Sequence, residues 1–175
     1  MLEERIEDAI RNVPDFPNKG INFKDITSLL LDPDLTSDIV NSFARSLKNQ
    51  NIDAIVGIES RGFLFGFLLA QKLNIPFVPI RKSGKLPGNT ISTGYDLEYG
   101  SAEIEIHTDD IKEGWNIIIH DDLLATGGTA LASAKLVKIL EANIKGFIFV
   151  IELGFLQGRS KLKKYTDNII SLKSY

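Results

Sequence analysis

Cysteine is absent from the 175-residue sequence, and histidine occurs only twice, as His107 and His120. The chain can therefore form no disulfide, no thiolate metal site and no cysteine nucleophile, which is compatible with a cytoplasmic protein. Two histidines so far apart in the sequence do not indicate a metal site either. We expect His107 to end a strand in solvent and His120 to pack against a face of a sheet.

An excess of positive charge is also missing, because 20 Lys and Arg residues stand against 23 Asp and Glu residues. The formal net charge is −3, so no overall basic field indicates a nucleic-acid partner. The longest apolar run, residues 63–70, is too short to cross a bilayer, and the acidic start MLEERIEDAIRNV does not resemble a signal peptide. We expect a soluble cytoplasmic protein without a nucleic-acid or membrane partner.

Hydrophobic residues, which make up 43% of the chain, are arranged in alternating strand-like and helix-like segments. This alternation predicts an α/β fold with a parallel central sheet flanked by helices. A helix over 36–48 is predicted to begin with Thr36 as its N-cap. Residues 13–31 lack periodicity and should be irregular, whereas residues 83–95 should be a mobile loop, followed by a hairpin that turns near Gly100. The other predicted helices are 2–12, 62–73 and 130–141, and the other predicted strands are 54–58, 77–80, 116–120, 147–152 and 168–172.

The stretch IIIHDDLLATGGT, residues 117–129, places a buried strand before two acids and a Thr-Gly-Gly-Thr turn. Ligands of open α/β sheets bind where strands end and helices begin. The glycines let backbone N–H groups approach an anion, while the two carboxylates suit sugar hydroxyls or a magnesium ion. The order of these residues indicates a sugar-phosphate site. The alternative is an ordinary turn capped by Thr126 or Thr129, with both acids solvated.

The segment ESRG, residues 59–62, also follows a predicted strand and opens a predicted helix. Its Arg61 offers the bidentate charge that a diphosphate needs, although Ser60 could equally be a helix cap and Arg61 a surface charge. A basic cluster lies at the start of the predicted mobile loop. Closure of that loop over a diphosphate would exclude water, whereas the simpler interpretation is a solvated surface loop. The cluster consists of Arg81, Lys82 and Lys85.

Five sequence blocks occur in the order found in the type I phosphoribosyltransferases, enzymes that use phosphoribosyl pyrophosphate (PRPP). DDLLATGGT resembles the ribose-5-phosphate motif of that family. DFPNKGINFKDIT, ESRGFLFG, IRKSGKLPG and DLEYG resemble blocks of its adenine-specific branch. The resemblance implies transfer of the phosphoribosyl group of PRPP to adenine, which gives AMP and pyrophosphate. It also implies Mg²⁺ as cofactor, a homodimer, and one domain, residues 1–175, with a hood of about residues 1–33, a core of 34–175 and a mobile loop or hairpin over the site.

The resemblance also assigns roles to the residues that match the family's motifs. Glu98 and Arg61 would be catalytic, Glu98 by handling a proton at the purine ring and Arg61 by stabilising charge on the pyrophosphate. Magnesium would be held mainly by PRPP and water, with Asp121 and Asp122 as candidate protein ligands. The ribose and 5′-phosphate would bind to Asp121, Asp122, Ala125, Thr126, Gly127, Gly128 and Thr129. The diphosphate would bind to Glu59, Ser60, Arg61, Arg81, Lys82, Lys85 and Tyr99. Adenine would bind to Asn22, Phe23, Lys24 and Leu153.

Two positions depart from the family's pattern. His120 stands where an aliphatic residue is usual, and Gly154–Phe155 replaces a hydroxyl-rich pair behind the base pocket. Two other functions are compatible with the motifs. Transfer to another base is one, against which DFPNKGINF and DLEYG argue. A non-catalytic PRPP sensor is the other, but such regulators carry a DNA-binding domain or a basic face, and the retained Arg61, basic loop and Glu98 favour an enzyme.

Overall fold

A computed structural model describes residues 1–96 and 101–175 as an α/β fold. Within these residues, no helix has both the length and the apolar composition needed to cross a lipid bilayer. The α-helices are α1 (Leu2–Ala9), α2 (Pro33–Ser46), α3 (Gly62–Leu73), α4 (Gly128–Ile139) and α5 (Gly158–Leu162). The strands are β1 (Arg11–Pro14), β2 (Asn22–Asp25), β3 (Ala54–Ile58), β4 (Phe77–Lys82), β5 (Thr90–Asp96), β6 (Ser101–His107), β7 (Asn116–Leu124), β8 (Asn143–Glu152) and β9 (Ile169–Ser174).

The main sheet has seven strands in the order β5-β6-β4-β3-β7-β8-β9. Its five strands from β4 to β9 pair in parallel, whereas β6 runs antiparallel to both β4 and β5. The predicted α/β fold with a parallel central sheet flanked by helices is therefore confirmed, with an antiparallel hairpin added at one edge. The order places β3 and β7 side by side at the centre of the sheet.

The central strands are apolar at successive positions because helices cover both faces of the sheet. On one face, Ile117 and Ile119 of β7 pack in the same cluster as Leu136 of α4. On the other face, Ile118 packs in a second cluster that includes Phe43 of α2 and residues of α1 and α3. The buried strand that precedes the two acids is thus held from both sides, which fixes where its end lies.

The N-terminal segment differs from its prediction. The predicted helix over residues 2–12 ends at Ala9, and β1 and β2 form a separate two-stranded antiparallel sheet in which Val13 pairs with Phe23. A 3₁₀ helix, Ile26–Leu31, follows. The irregular chain predicted for residues 13–31 was therefore wrong for these parts. Both strands have only four residues and show no alternation of buried and exposed side chains, so they carry no periodic signal.

The start of α2 and the segment after β4 also differ from their predictions. Helix α2 begins at Pro33, with Asp32 as its N-cap, whose carboxylate accepts the Leu35 N–H at 2.9 Å, so the prediction of Thr36 was wrong. An acid followed by proline is a typical helix start that marks this boundary. The loop predicted over residues 83–95 was wrong for its second half, which is strand β5. The predicted hairpin strand over residues 97–99 lies outside the described residues.

The two histidines occupy different environments. His107 ends β6 and is half-buried, whereas His120 is fully buried in β7. The Nδ1–H of His120 donates to the Ile148 carbonyl at 3.0 Å, its Nε2 has no hydrogen-bond partner among the described residues, and its ring packs edge-on against Phe43. The prediction that His120 packs against a face of the sheet is confirmed. Burial lowers the pKa of His120 to about 4, because the cation would lose its hydration.

This buried imidazole should make the free energy of unfolding depend on pH. An unfolded histidine titrates near pH 6.5, so the unfolded state binds a proton that the folded state refuses between about pH 6.5 and pH 4. Stability is complete above this window and falls by about 3 kcal/mol as the pH drops through it. Urea unfolding of the wild type and of His120→Leu at pH 7, 5.5 and 4 measures the difference. Equal losses in both proteins would show that His120 does not titrate in this way.

Candidate active site

A cavity of about 330 Å³ opens at the carboxyl ends of β3 and β7. It falls within the size range of small-molecule sites. Strand β7 continues to Leu124, so both acids lie within its last residues. The predicted end at His120, which would place them after the strand, was therefore wrong. Most of the residues predicted for the ribose and diphosphate sites border this one space or adjoin it. The cavity is lined by Glu59, Ser60, Arg61, Lys82, Tyr95, Asp121, Asp122 and Thr129.

The loop after β7 leads directly into α4, with Gly127 as the N-cap residue at φ = 78°. This left-handed conformation favours glycine. No side chain caps α4, so the alternative in which Thr126 or Thr129 caps an ordinary turn is not what the structure contains. A small cavity of about 80 Å³, bordered by residues 123–130, lies along this loop. The uncapped N–H groups and the partial positive charge of the helix end form a suitable site for a phosphate.

A second uncapped helix start lies after β3. Arg61 is the N-cap residue of α3, so the alternative in which Ser60 caps this helix was wrong. The Arg61 side chain makes no capping hydrogen bond, as is also the case at the start of α4. The Glu59–Ser60 peptide bond is cis. A side chain at Gly62 would place its Cβ 2.9 Å from the His120 carbonyl oxygen, too close for a real contact. Glycine at this position therefore lets α3 approach the end of β7.

Opposite charges meet between the two helix ends. The Arg61 Nε lies 2.7 Å from the Asp122 Oδ2, which is buried and is not aligned for a hydrogen bond with any donor of the described residues. The Asp122 N–H donates to the Asp121 Oδ1 at 2.9 Å, although the Asp121 side chain keeps some exposure to solvent. Desolvation and the neighbouring carboxylate raise the pKa of Asp121 well above its usual range. Asp121 therefore favours a proton more than an ordinary aspartate does, while its neighbour Asp122 is ion-paired with Arg61.

The basic segment is oriented by Glu59. Its carboxylate accepts the Lys82 N–H at 2.8 Å and both Arg81 Nε, at 3.3 Å, and Arg81 Nη2, at 3.2 Å. Burial alone would raise the pKa of Glu59, but these donors outweigh it and leave the pKa lowered. Arg81 also donates to the carbonyl of Lys85 at 3.1 Å. Glu59 thereby neutralises Arg81 and fixes the backbone of Lys82, whose side chain lines the cavity, whereas Arg81 and Lys85 are not among the described residues that line it.

Comparisons of sequence and structure agree on the family of this chain. The sequence profile of the phosphoribosyl transferase domain matches residues 30–173. The chain belongs to the phosphoribosyltransferase family. Over all 175 of its residues it is 49% identical to the adenine phosphoribosyltransferase of Cytophaga hutchinsonii, of which it covers 97%.

Two crystal structures of the family are closely similar to this fold. The adenine phosphoribosyltransferase of Thermoanaerobacter pseudethanolicus has a TM-score of 0.95 and 50% identity, with 100% of both chains covered. The enzyme of Saccharomyces cerevisiae, complexed with D-2,5-dideoxy-2,5-imino-altritol 1,6-bisphosphate and adenine, has a TM-score of 0.91 and 43% identity, with 98% of both chains covered. The resemblance to adenine phosphoribosyltransferases found in the motifs is thus confirmed over the whole chain.

One of the residues that match the family's base-binding motifs, Phe23, lies against Arg61, which lines the cavity. Phe23 of β2 is half-buried. The guanidinium carbon of Arg61 lies over its ring, 5.4 Å from the ring centroid. Its neighbour Lys24 donates to the Asn12 side chain at 2.6 Å, whereas Asn22 is exposed. Leu153 follows β8, and its N–H donates to the carbonyl of Leu124, directly before the phosphate-binding loop of the family.

Three further residues were singled out by comparison with the family's motifs. Phe155, one of the two positions that depart from the usual pattern, is 71% exposed. Glu98 and Tyr99, which match the family's catalytic and diphosphate motifs, lie outside the described residues. Their predicted roles therefore rest on the sequence resemblance.

Two residues near the site were not predicted. Tyr95 lines the cavity, but it lay in the segment that was predicted to be a loop. Glu105 is only 5% exposed and its Oε1 accepts the N–H groups of Lys85 and Leu86, each at 2.8 Å. These hydrogen bonds lower the pKa of Glu105, and the one from the Leu86 N–H has the largest effect. The alternating sequence AEIEIH places Glu103 and Glu105 on one face of a strand, which is typical of solvated side chains. Nothing in this pattern indicates that residues 83–89 fold over Glu105.

The contact between Glu105 and the loop should set how often that loop opens. Glu105→Ala leaves the partly buried N–H groups of Lys85 and Leu86 without their charged acceptor, and a hydrogen bond to a charged group contributes about 1.5–3 kcal/mol. The Lys85 and Leu86 amide protons should then exchange with solvent at least about tenfold faster than in the wild type, as measured by NMR. The control is Glu103→Ala, which removes an exposed acid of the same strand whose carboxylate accepts, among the described residues, from Ser92. Unchanged exchange in Glu105→Ala would mean that this carboxylate does not hold the loop.

Proposed function

We propose that the protein transfers the phosphoribosyl group of PRPP to adenine and so produces AMP and pyrophosphate, a reaction of purine salvage. One observation carries this proposal: two uncapped helix starts face one cavity, with Arg61 and an acid pair between them. PRPP has the matching distribution of charge, with a phosphate at one end, a diphosphate at the other and neutral ribose hydroxyls between. The similarity to adenine phosphoribosyltransferases supports adenine as the acceptor.

The 5′-phosphate would bind at the start of α4 and the ribose beside the acids. Ala125, Thr126, Gly127, Gly128 and Thr129 would supply backbone N–H groups and hydroxyls to the phosphate. Asp122 would accept hydrogen bonds from a ribose hydroxyl. Asp121, whose raised pKa favours the protonated form, would be able to donate as well as accept. Neither acid would then face the phosphate with an uncompensated charge.

The diphosphate would bind between the start of α3 and the basic segment. Arg61, Arg81, Lys82 and Lys85 would neutralise it, with Ser60 and Tyr99 as hydrogen-bond donors. Glu59 would act through the groups that it holds, because a free carboxylate would repel the diphosphate, whereas this one already binds Arg81 and the Lys82 N–H.

Magnesium fits this site as an ion that takes most of its ligands from the substrate. Within the described residues no three His, Asp or Glu side chains are grouped as a metal site, so the protein alone would not hold it. Asp121 and Asp122 are carboxylates of the kind that bind Mg²⁺, and they lie where the ribose hydroxyls would be. Mg²⁺ bound to PRPP would offset the negative charge of the diphosphate.

Adenine would stack on Phe23, with Leu153 on its other face and the main chain of Asn22 and Lys24 reading its edge. These residues of β2 belong to the hood, about residues 1–33, that we propose covers the core of residues 34–175. Adenine offers a donor at its amino group and an acceptor at N1, whereas hypoxanthine reverses both. Discrimination therefore needs only backbone groups, because the wrong base leaves buried polar groups unpaired.

Catalysis would come from positioning and from charge. As pyrophosphate leaves, the ribose gains oxocarbenium character, and negative charge develops where Arg61 lies. Glu98, next to the imidazole ring of the purine, would handle its proton. Closure of the basic loop and of the hairpin over the site would exclude water, and no protein nucleophile is needed.

The proposal extends to a homodimer in the cytoplasm. Support for the dimer comes from large apolar side chains exposed on α3 and on the 3₁₀ helix before α2, since such patches mark interaction sites. They include Leu31, Phe67 and Leu68, which are 77%, 50% and 41% exposed. Sedimentation equilibrium should give a mass of two chains, and Phe67→Ser should shift it towards one. A wild-type mass of one chain would contradict the dimer.

The reaction is tested by measuring AMP formation from adenine and PRPP with magnesium, with hypoxanthine as the comparison base. We expect AMP from adenine, none without magnesium, and little reaction with hypoxanthine. The double variant Asp121→Asn/Asp122→Asn should bind PRPP about 100-fold more weakly in calorimetry, because hydrogen bonds to charged groups contribute about 1.5–3 kcal/mol. A matched control is Asp109→Asn/Asp110→Asn, which alters an exposed acid pair elsewhere. Equal use of both bases, or wild-type affinity in the first variant, would contradict the proposal.

A further inference from the structure

The loop that begins α4 rests on the backbone of α5, with no side chain between them. Gly158 is buried, and a Cβ there would lie 2.1 Å from the Ala125 carbonyl oxygen and 3.0 Å from the Gly127 nitrogen. A Cβ at Gly127 would in turn lie 2.8 Å from the Gly158 carbonyl oxygen. The distances of 2.1 and 2.8 Å are shorter than real Cβ contacts and that of 3.0 Å is tighter than most, and the atoms involved are backbone atoms that cannot rotate away. Only glycine at both positions allows the two segments to lie this close.

The next residue, Arg159, fixes α5 to the edge of the sheet. Its Nε donates to both carboxylate oxygens of Glu152, at 3.1 and 3.2 Å, and its Nη2 donates to the Ser171 Oγ at 3.0 Å. Nη1 donates to the Ile169 carbonyl at 2.6 Å. Glu152, at the end of β8, is almost fully buried and also accepts from Ser171 at 2.7 Å. One guanidinium group thus joins α5 to both β8 and β9, a use for which the planar donor fork of arginine is suited.

We propose that Gly158 and Arg159 are positioning residues for phosphate binding, which hold the Ala125–Thr129 loop so that its N–H groups point at the phosphate. The identity of the ligand rests on the proposed function, but the support of the loop does not. Neither residue lines the cavities at the described part of the site, so both act through the loop. Arg159 fixes the position of α5, and Gly158 transmits that position to the loop by direct backbone contact.

This arrangement predicts a defect confined to the phosphate end of the substrate. In Gly158→Ala the added methyl group must push Ala125 and Gly127 away. We expect the KM for PRPP and the Kd of ribose 5-phosphate to rise at least about tenfold, while the KM for adenine changes less than about threefold, since misplacement by about 1 Å is costly in preorganised sites. Steady-state kinetics and calorimetry measure these values.

The matched control is Gly146→Ala in β8. Gly146 is also buried and its Cβ would lie 2.6 Å from the Asn168 Nδ2, but it pairs with Ile118, near the start of β7. This variant should lose stability without a change in the KM for PRPP. If both glycine variants raise both KM values alike, Gly158 serves only general packing and the proposal is overturned.

Arg159→Lys keeps the inference testable if Gly158→Ala does not fold. Lysine retains the charge but cannot reach Glu152, Ser171 and Ile169 together. We expect a smaller rise in the KM for PRPP and in the Kd of ribose 5-phosphate, again without an equal rise for adenine. A folded Arg159→Lys protein with wild-type values for both would overturn the role of Arg159.

The outcomes also separate this inference from the proposed function. A wild type that binds ribose 5-phosphate but makes no AMP would refute the proposed reaction, and the Kd ratios would still decide the role of Gly158. A wild type that does not bind ribose 5-phosphate would overturn both.

Discussion

The parallel pairing of β3 with β7 is the constraint on which the site depends. Residues Ala54–Gly57 of β3 lie in register with Ile117–His120 of β7, so both strands end at the same edge of the sheet. Each is followed by a helix whose first turn has no side-chain cap. Two partial positive charges therefore lie side by side, although about 60 residues separate them in the sequence. One substrate with two charged ends can therefore contact both helix starts.

Charge compensation is the second level of organisation, and it explains why acids and bases are mixed in one cavity. Glu59 holds Arg81, and Asp122 faces Arg61, so two of the three described carboxylates that line the cavity have a cationic partner, while the third, Asp121, has a raised pKa. Behind the loop that opens α4, Glu152 and Arg159 repeat this arrangement away from the cavity. Partial burial strengthens such pairs relative to exposed ones, which makes the local geometry depend on the pairs remaining intact.

The elements that were predicted correctly from the sequence are those with a strong local pattern. The bounds of β3 and α3 were predicted without error, because a β-branched run and a long apolar segment with a Gly start leave little ambiguity. Strand β5 was missed, since TISTGYD has no apolar alternation and is stabilised by pairing with β6. Asp121 and Arg61 were identified as candidate site residues from the sequence blocks that contain them. Their ion pair and the support from Gly158 were not predictable, because each is a contact between distant segments that no spacing encodes.

We propose that the two helix starts form one substrate site, with the phosphate bound at one and the diphosphate at the other. A crystal structure of the complex with PRPP, magnesium and an adenine analogue that has carbon in place of N9 tests this most directly. We predict the 5′-phosphate within about 3 Å of the N–H groups of Gly127–Thr129, the diphosphate at Arg61 and the base on Phe23. A 5′-phosphate bound at α3, or a ligand that contacts only one of the two helix starts, would contradict it.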